Sequence, residues 1–370
     1  MKPKVLFILH LPPPVTGAGM VGKYIKENEN LNLKYDADFI NLTTAFSLNS
    51  IGKGSLKKYI TIIIVFFRIL KALLSKKYDL CYMTLTAKGA GFYKDVLIVT
   101  LLKIFRKKIV YHFHNKGVKT RAHKKVDNFL YKFTFKNTKS ILLAKSLYQD
   151  IEDFVSKEDV LYCPNGIPDI DIPIITNNKK KIESDTCKLL FLSNMMEEKG
   201  VYILLEACKL LDQKNMTYEC HFVGDWLDIT LEKFDKKCLD LGLKSNIIAH
   251  GKKYGKEKID AYLSSDFFIL PTYNDCFSLV LLEAMQAKLP VISTYTGGIP
   301  DIIVNNETGF LIENKNAGIL AKKIEELILA PEVRKKMAQL GRKRYEELFT
   351  LEAFNAKFLS TINKCIHTDY

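Results

Sequence analysis

Residues 267–285, FFILPTYNDCFSLVLLEAM, give the strongest indication of the fold. Its apolar start is typical of a short buried strand, its polar middle of a loop and its end of a helix. Asp275 lies in the predicted loop and Glu283 within the first two turns of the predicted helix. The first amide groups of that helix come from Phe277, Ser278, Leu279 and Val280. Because the free N–H groups and the dipole of a helix N-terminus favour phosphate, this stretch predicts an anion site.

Glu283 needs a different explanation, since a carboxylate beside a phosphate is repelled by it. A carboxylate is a good hydrogen-bond acceptor, and the two adjacent hydroxyl groups of a ribose are suitable donors. A phosphate and a ribose in one site indicate a nucleotide.

Strand-like and helix-like segments alternate on both sides of this stretch. Short apolar runs at 5–10, 78–83, 108–114 and 140–144 predict strands in the first half. Runs at 188–194, 218–224, 246–251, 267–272 and 290–294 predict strands in the second half, with helices at 201–212, 257–265 and 278–288. This alternation is typical of α/β proteins with doubly wound parallel sheets. We therefore predict two Rossmann-like domains that face each other across a cleft.

The domain boundaries follow from length and composition. A chain of 370 residues exceeds what one hydrophobic core usually supports. Residues 173–186 are polar and lack apolar periodicity, so they are predicted to be a linker between domains 1–172 and 187–349. The helix predicted at about 350–370 is expected to pack back on the first domain.

Charge is distributed unevenly along the chain. Residues 1–170 contain 28 Lys and Arg against 13 Asp and Glu, whereas residues 171–370 contain 27 against 28, so the formal charge of +14 divides into +15 and −1. A basic half indicates an anionic partner.

The eight cysteines form no metal-binding pattern and indicate reduced thiols in a cytoplasmic protein. The apolar run near the N-terminus is interpreted as a buried strand, not a targeting segment.

Residues 56–77, LKKYITIIIVFFRILKALLSKK, raise the question of a membrane. Arg68 and Lys71 interrupt the apolar run, which is too short to span a bilayer. Two interpretations stay open. The segment is either a crossover helix buried beneath the first sheet or a helix that lies in a membrane interface with its lysines on anionic head groups.

Several motifs together resemble one family. Asp275-x7-Glu283, followed by Ala284 and Met285, resembles the E-x7-E motif of the retaining GT-B glycosyltransferases of family 4, also called glycosyl transferases group 1. Five other segments are similar to family landmarks in the same order: CPNGIPD (163–169), NMMEEKGVYILLEA (194–207), HFVGDW (221–226), STYTGGIPDII (293–303) and ETGFLI (307–312).

The resemblance implies roles for residues of the second half. Glu283 would hold the ribose of a nucleotide sugar, the amides of residues 277–280 and Lys199 would contact its diphosphate, and Asp275 would face the transferred sugar. Two residues depart from the family pattern. Asn194 stands where the family usually has Arg, which removes a bidentate contact to phosphate. Asp275 replaces the more usual Glu. The region of Gly251, Lys252 and Tyr254 would surround the nucleotide base.

Candidates in the first half are fewer. Gly17 and Gly19 lie in a predicted glycine-rich loop that would approach the donor, although a plain turn is an equal interpretation. By resemblance His114 would contact the donor sugar, whereas His112 is expected to pack in the core. Lys116, Lys119 and Arg121 belong to a basic run that is either a solvated surface or a contact to an anionic acceptor.

The resemblance implies hexose transfer with retention from a UDP- or GDP-hexose. We expect no cofactor and no metal, because no Asp-x-Asp pair is suitably placed. The basic half and the segment 56–77 together favour a lipid-linked acceptor, as in capsule or lipopolysaccharide biosynthesis, and a cytoplasmic protein that is peripheral on the inner face of the cell membrane. Alternatives are a non-catalytic partner subunit with this fold and a nucleotide-sugar 2-epimerase. Nucleic-acid binding is not expected, since no motif that interleaves aromatic and basic residues occurs.

Overall fold

The computed structural model describes residues 1–44, 56–170, 186–243 and 245–368. The chain divides into two units, the first formed by Met1–Gly166 with Leu351–Tyr370 and the second by Ile167–Thr350. The predicted linker, up to residue 185, lies outside the described residues. Ile167 already belongs to the second unit, where its N–H donates to the carbonyl of Phe349 at 3.0 Å. The sequence placed residues 167–172 in the first domain, so the structure moves that boundary.

The first unit contains a six-stranded parallel sheet in the order β2-β1-β3-β4-β5-β6. The strands are β1 (Lys4–Leu9), β2 (Asp36–Asn41), β3 (Leu80–Thr84), β4 (Ile109–His112), β5 (Lys139–Leu142) and β6 (Val160–Tyr162). β1, β3, β4 and β5 are the four strands that the apolar runs predict. Their near-continuous burial is what parallel strands with helices on both faces require.

Two groups of helices connect these strands. The helices are α1 (Gly17–Glu27), α2 (Glu29–Lys34), α3 (Leu56–Ser75), α4 (Gly89–Ile104), α5 (Val118–Arg121) and α6 (Lys125–Phe135). α1 and α2 connect β1 to β2, whereas the others connect strands that advance across the sheet in the opposite direction. Because such crossovers are right-handed, the two groups cover opposite faces of the sheet.

The last helix of the chain, α14 (Leu351–His367), completes the first unit. Its residues Phe354, Phe358, Ile362 and Cys365 recur at helical spacing and are buried. They form one hydrophobic cluster with apolar residues of β1, α1 and α2. α14 therefore covers the same sheet face as α1 and α2.

The second unit contains another six-stranded parallel sheet, in the order β12-β11-β10-β7-β8-β9. Its strands are β7 (Cys187–Leu192), β8 (Tyr218–Val223), β9 (Ile247–Gly251), β10 (Phe267–Ile269), β11 (Val291–Thr294) and β12 (Gly309–Ile312). Counted from β9, this is the 3-2-1-4-5-6 order of a dinucleotide-binding sheet, whose direction of winding reverses between β7 and β10. Ligands bind such sheets beyond the carboxyl ends of the strands at this reversal.

The helices of the second unit agree with the predicted segments where the sequence made a prediction. They are α7 (Val201–Gln213), α8 (Leu231–Leu241), α9 (Gly255–Leu263), α10 (Leu279–Gln286), α11 (Ile299–Ile302), α12 (Ala317–Leu329) and α13 (Pro331–Leu348). A short 3-10 turn, Glu197–Lys199, precedes α7.

Three strands escaped sequence analysis. β2 is an edge strand with two aspartates, and most of its residues are half-buried. β6 is an edge strand of three residues, two of them half-buried. Such strands lack the continuous apolar run by which buried parallel strands are found. β12 is buried, but with four residues its apolar run is too short to be distinguished.

α3 occupies the segment for which two interpretations stayed open. Only Val65, Ile69 and Leu73 among its residues are buried, so the helix does not lie buried on all sides. Among the residues that the structure describes, no helix is long and apolar enough to cross a membrane.

Candidate nucleotide-sugar site in the second unit

Residues 267–285 fold as their sequence predicts. β10 ends at Ile269, a loop follows, and α10 begins at Leu279 with Ser278 as its N-cap residue. Ser278 makes no side-chain hydrogen bond to the first turn of α10. Asp275 lies in the loop and Glu283 is the fifth residue of α10. A helix N-terminus therefore follows the strand at which the winding of the sheet reverses.

Lys199 and Asp275 meet at this reversal. Lys199 follows β7 and Asp275 follows β10, and β7 and β10 are neighbours in the sheet. The Lys199 Nζ lies 2.8 Å from the Asp275 Oδ2, and both side chains are at least four-fifths buried. The other carboxylate oxygen, Oδ1, accepts the N–H of Cys276 at 2.9 Å. An ammonium group has three donors, so Lys199 can hold Asp275 and still donate to a phosphate.

Hydrogen bonds connect the loops that carry Lys199 and Asp275. The Glu198 carbonyl accepts hydrogen bonds from the Thr272 hydroxyl at 2.9 Å and from the Tyr273 N–H at 3.0 Å. The Glu198 carboxylate accepts the Asn274 side-chain amide at 2.7 Å. Gly200 has a φ of +85°, and a Cβ there would lie 2.2 Å from the carbonyl oxygen of Pro271. Glycine is therefore required by both backbone conformation and space.

A third loop supports Asp275 from β11. Gly297 has a φ of +56°, and a Cβ on it would lie 2.2 Å from the Asp275 carbonyl oxygen. The Gly298 N–H donates to the Cys276 carbonyl at 2.7 Å. Three loops, from β7, β10 and β11, thus fix the position of Asp275 before any ligand binds.

Glu283 is held by two side chains that sequence analysis missed. Its Oε1 lies 2.6 Å from the Lys258 Nζ, and its Oε2 accepts the Tyr262 hydroxyl at 2.8 Å. Burial, with the Glu283 charge, raises the pKa of Tyr262 well above its usual range, so the phenol stays a donor. Lys258 and Tyr262 lie four residues apart on α9, and this spacing places them on one helix side. That four-residue spacing could be seen in the sequence, but it does not identify α10 as the helix that the two side chains contact.

The remaining predicted donor contacts lie at the same sheet edge. Asn194 follows β7, and its carbonyl accepts the Met196 N–H at 2.8 Å. Gly251 ends β9, two strands away from β7, which corresponds to roughly 10 Å. Lys252 pairs with Asp225 at 2.8 Å and lies 5.0 Å from the ring centroid of Tyr254. Lys252 is thus already neutralised by a neighbouring carboxylate.

Two histidines of the first unit, His112 and His114, lie at the carboxyl edge of its own sheet. His112 is buried, and its Nδ1 lies 2.7 Å from the Tyr82 hydroxyl, which agrees with the packing role predicted for it. His114 follows β4, and the two rings are 4.3 Å apart between centroids. Burial lowers the pKa of His114 to about 4, so its imidazole is neutral near pH 7.

Other first-unit candidates are engaged in local structure. Lys119 pairs with Glu152 at 2.8 Å, and the Arg121 Nε pairs with Asp127 at 2.8 Å. An acceptor contact by these two residues would have to displace those carboxylates, whereas Lys116 forms no ion pair with any of the described residues. Gly17 and Gly19 lie in the first turn of α1 and not in a loop, and the Gly19 N–H donates to the Thr16 side chain at 3.1 Å. The prediction of a glycine-rich loop at these positions is wrong.

The second-unit arrangement combines groups suited to a nucleotide diphosphate. It offers a cation, a helix N-terminus and a positioned carboxylate, at the place where ligands bind such sheets. Within the described ranges, no group of three or more His, Cys, Asp or Glu side chains could hold a metal ion.

Comparison with known proteins relates this site to one family. Residues 175–344 match the family model of glycosyl transferases group 1. The two sheet units are those of a GT-B fold. The capsular polysaccharide biosynthesis glycosyltransferase CapM of Staphylococcus aureus is 28% identical over 181 residues, which cover 48% of this chain and 47% of CapM. The chain spans about half the length of the curated relatives it matches.

Solved structures agree on the fold. The glycosyltransferase from Rickettsia africae ESF-5 has a TM-score of 0.72 at 20% identity, with 100% of both chains covered. Anabaena Alr3699/HepE in complex with UDP has a TM-score of 0.74 at 16% identity, with 98% of this chain and 100% of that chain covered. Identities this low show the fold alone.

Proposed function

We propose that this chain transfers a hexose from a nucleotide sugar, with retention of configuration, to a lipid-linked acceptor in bacterial surface polysaccharide biosynthesis. The observation that carries the proposal is the position of two carboxylates around the N-terminus of α10. Asp275 is fixed by Lys199 on one side of that N-terminus, and Glu283 is fixed by Lys258 and Tyr262 on the other.

The donor half of the reaction is assigned to these residues. Glycosyl transfer requires stabilisation of a departing nucleoside diphosphate and of a sugar carbon that becomes cationic. Lys199 and the amides of Phe277 to Val280 would neutralise the diphosphate as its bond to the sugar breaks. Two of the lone pairs of Glu283 are occupied, and the others can accept ribose hydroxyl groups.

The sugar contacts are assigned to Asp275 and His114. Asp275 keeps a negative charge that stabilises a cationic carbon, and a neutral His114 can both donate and accept hydrogen bonds. Asn194 supplies an amide where an Arg would supply a charge, so Lys199 carries more of the leaving-group stabilisation. We propose that no metal ion or other cofactor takes part.

The donor and acceptor classes are supported by relatives. A structural neighbour has been solved in complex with UDP-glucose, which favours a UDP-hexose donor. The name of CapM supports a role in capsule biosynthesis. The basic first half, with a formal charge of +15 over residues 1–170, suits an acceptor with a diphosphate-linked lipid and a cytoplasmic protein on the inner membrane surface.

Donor binding tests the first part of the proposal. Calorimetric titrations of UDP, GDP and their hexose conjugates, with EDTA present, are expected to show tight binding of one nucleotide. Glu283→Ala should abolish that binding, while Glu332→Ala, an exposed glutamate at the start of α13, should not change it. Absence of binding by every nucleotide would contradict the proposal.

Transfer tests the second part. The donor identified by calorimetry is incubated, with EDTA, with lipid extracts that contain diphosphate-linked sugars, and the product is analysed by mass spectrometry and NMR. We expect a glycolipid with the anomeric configuration of the donor. Donor binding without transfer to any acceptor would favour a non-catalytic partner subunit, and conversion of the donor without acceptor would favour an epimerase. Complete loss of transfer in EDTA would disprove metal independence.

A further inference from the structure

The outer surface of three neighbouring helices in the first unit is unusually apolar. We propose that this surface, formed by α3, α4 and α6, is the site at which the protein docks on a bilayer that contains anionic lipids. We call it the three-helix surface. The proposal uses no residue of the donor site, so it does not depend on the identity of the sugar or the nucleotide.

α3 supplies the largest part of the three-helix surface. Its buried residues Val65, Ile69 and Leu73 recur at helical spacing and face the sheet. The opposite side is also apolar and is exposed: Leu56, Tyr59, Ile60, Ile63, Ile64, Phe67 and Leu74. Phe67 is 60% exposed and Leu74 is 71% exposed. A crossover helix needs one apolar side only, so the second side requires another explanation.

α4 and α6 continue the apolar surface. Both helices lie on the same sheet face as α3, and α4 contacts α3 on one side and α6 on the other. Their exposed apolar residues are Tyr93, Leu97 and Ile104 on α4 and Val126 and Phe129 on α6. Ile104 and Phe129 are each 70% exposed. Of the 22 exposed large apolar side chains among the described residues, the three helices carry 12.

The charge of the same region indicates the partner. Residues 56–136 contain 19 Lys and Arg but three Asp and Glu, which are Asp79, Asp95 and Asp127. Asp95 and Asp127 are buried, so they offer no negative charge at the surface. Exposed basic residues border the apolar side chains, among them Arg68, Lys71, Lys125, Lys132 and Lys136. Exposed apolar residues bordered by Lys and Arg are the composition of an interfacial membrane helix.

A bilayer explains these features better than a second copy of the chain. Two copies that met through this surface would bring like charges together, which is unfavourable. Anionic head groups instead neutralise the basic residues while the apolar side chains enter the acyl boundary. Exposed apolar patches of this extent on a single chain mark an interaction site.

Vesicle binding provides the test. The whole chain is incubated with vesicles of phosphatidylcholine alone or with 30% phosphatidylglycerol, at about 0.1 M salt, and binding is measured by flotation. We expect binding to the anionic vesicles that is weakened by salt. The double variant Ile63→Asp/Phe67→Asp should reduce the partition coefficient at least tenfold, and Arg68→Glu/Lys71→Glu should reduce it by roughly tenfold or more.

Two control variants in the second unit test whether the loss of vesicle binding is specific to the three-helix surface. Leu239→Asp changes an exposed leucine of α8 in the second unit, and Lys335→Glu/Lys336→Glu reverses two exposed lysines of α13. Neither should alter vesicle binding. Nucleotide binding, measured in the same preparations, should be equal in all variants, which shows that each is folded and separates this proposal from the proposed function.

A spectroscopic probe adds a second measurement. The chain has a single tryptophan, so Trp226→Phe combined with Phe67→Trp places the one indole on the three-helix surface. Its fluorescence should shift to the blue on anionic vesicles. Equal binding of the surface variants and the wild type, or an unshifted spectrum on bound protein, would overturn the proposal. So would a dimer in sedimentation velocity that the Ile63→Asp/Phe67→Asp variant dissolves, because a second copy would then cover the surface.

Discussion

The carboxyl edges of the two sheets are both polar, but their polar groups are paired in different ways. At the second sheet, charged groups hold one another: Lys199 pairs with Asp275, and Glu283 pairs with Lys258. At the first sheet, His10, His112 and His114 lie near one another as neutral rings. Within the described residues, the His112 Nε2 and the His114 Nδ1 have no hydrogen-bond partner.

This difference indicates how each edge responds to change. Ion pairs between partly buried groups fix a site before the ligand arrives, so removal of one partner disturbs both geometry and charge. Neutral buried histidines contribute no charge at pH 7 but become costly when acid protonates them. The second edge should therefore be sensitive to substitutions of charge, and the first edge to pH.

The largest expected effect comes from Lys199→Ala. The variant removes the cation that we propose binds the diphosphate and leaves Asp275 without its partner, so we expect a fall of about 10²- to 10³-fold in the transfer rate. Steady-state kinetics measure it. Lys209→Ala, in the adjoining helix α7, is the control and should have little effect. A Lys199→Ala enzyme with the wild-type rate would show that the ion pair is only structural.

Gly200→Ala tests the close contact between the loops that follow β7 and β10 in the second sheet. The added Cβ combines a φ of +85° with a clash against the Pro271 carbonyl, so we expect a loss of about 2–4 kcal/mol in the free energy of unfolding. Gly242→Ala is a matched control, since Gly242 has a φ of +67° but open space around its Cβ position. Gly242→Ala should lower the free energy of unfolding by about 1–2 kcal/mol. Urea unfolding followed by Trp226 fluorescence measures the stability of this unit. Equal losses of stability in Gly200→Ala and Gly242→Ala would contradict a clash at the Pro271 carbonyl.

The pH dependence of the first unit tests its histidines. An unfolded histidine has a pKa of 6.5, whereas burial lowers the pKa of His114 to about 4 and, with Lys94 and His114 nearby, that of His10 to about 3. Below pH 6.5 the unfolded chain therefore binds more protons than the folded chain. Stability is complete above pH 6.5 and falls toward pH 4, by up to about 1.4 kcal/mol per pH unit for each histidine.

Urea unfolding by circular dichroism, compared with Trp226 fluorescence from the other unit, measures this slope. His114→Gln removes one titrating ring and should make the stability of the first unit less dependent on pH. His367→Gln, an exposed histidine at the end of α14, should leave the dependence unchanged. A slope that is the same in His114→Gln and in the wild type would exclude His114 as a cause.

The smallest expected effect is that of Tyr262→Phe. The variant removes the hydroxyl that donates to Glu283 but keeps the ring and the Lys258 contact. One hydrogen bond to a charged acceptor is worth about 1.5 kcal/mol, so nucleotide binding should weaken by roughly tenfold. Calorimetry measures the change. Tyr295→Phe, at an exposed tyrosine of the same unit, should bind the nucleotide as the wild type does.

The sequence predicted much of the fold because the central strands are short, continuous apolar runs between helical segments. β1, β3, β4 and β5 of the first sheet and β7 to β11 of the second were found in this way, whereas the edge strands β2, β6 and β12 were not. β2 and β6 are mostly half-buried, which weakens the apolar signal, and β12 is buried but has only four residues. α3 was located correctly, yet which of its two apolar sides meets the sheet depends on packing.

In the candidate site too, some features could be predicted from the sequence and others depend on packing. The strand, loop and helix at residues 267–285 could be predicted, because strand burial, loop polarity and a helix start are local properties. The pairing of Lys199 with Asp275 across 76 residues, and the contacts of Lys258 and Tyr262 with Glu283, could not be predicted locally. Those contacts depend on the order of strands in the sheet, which brings β7 beside β10 and sets α9 against α10. Local composition carries no record of that order, since it follows from how the whole chain packs.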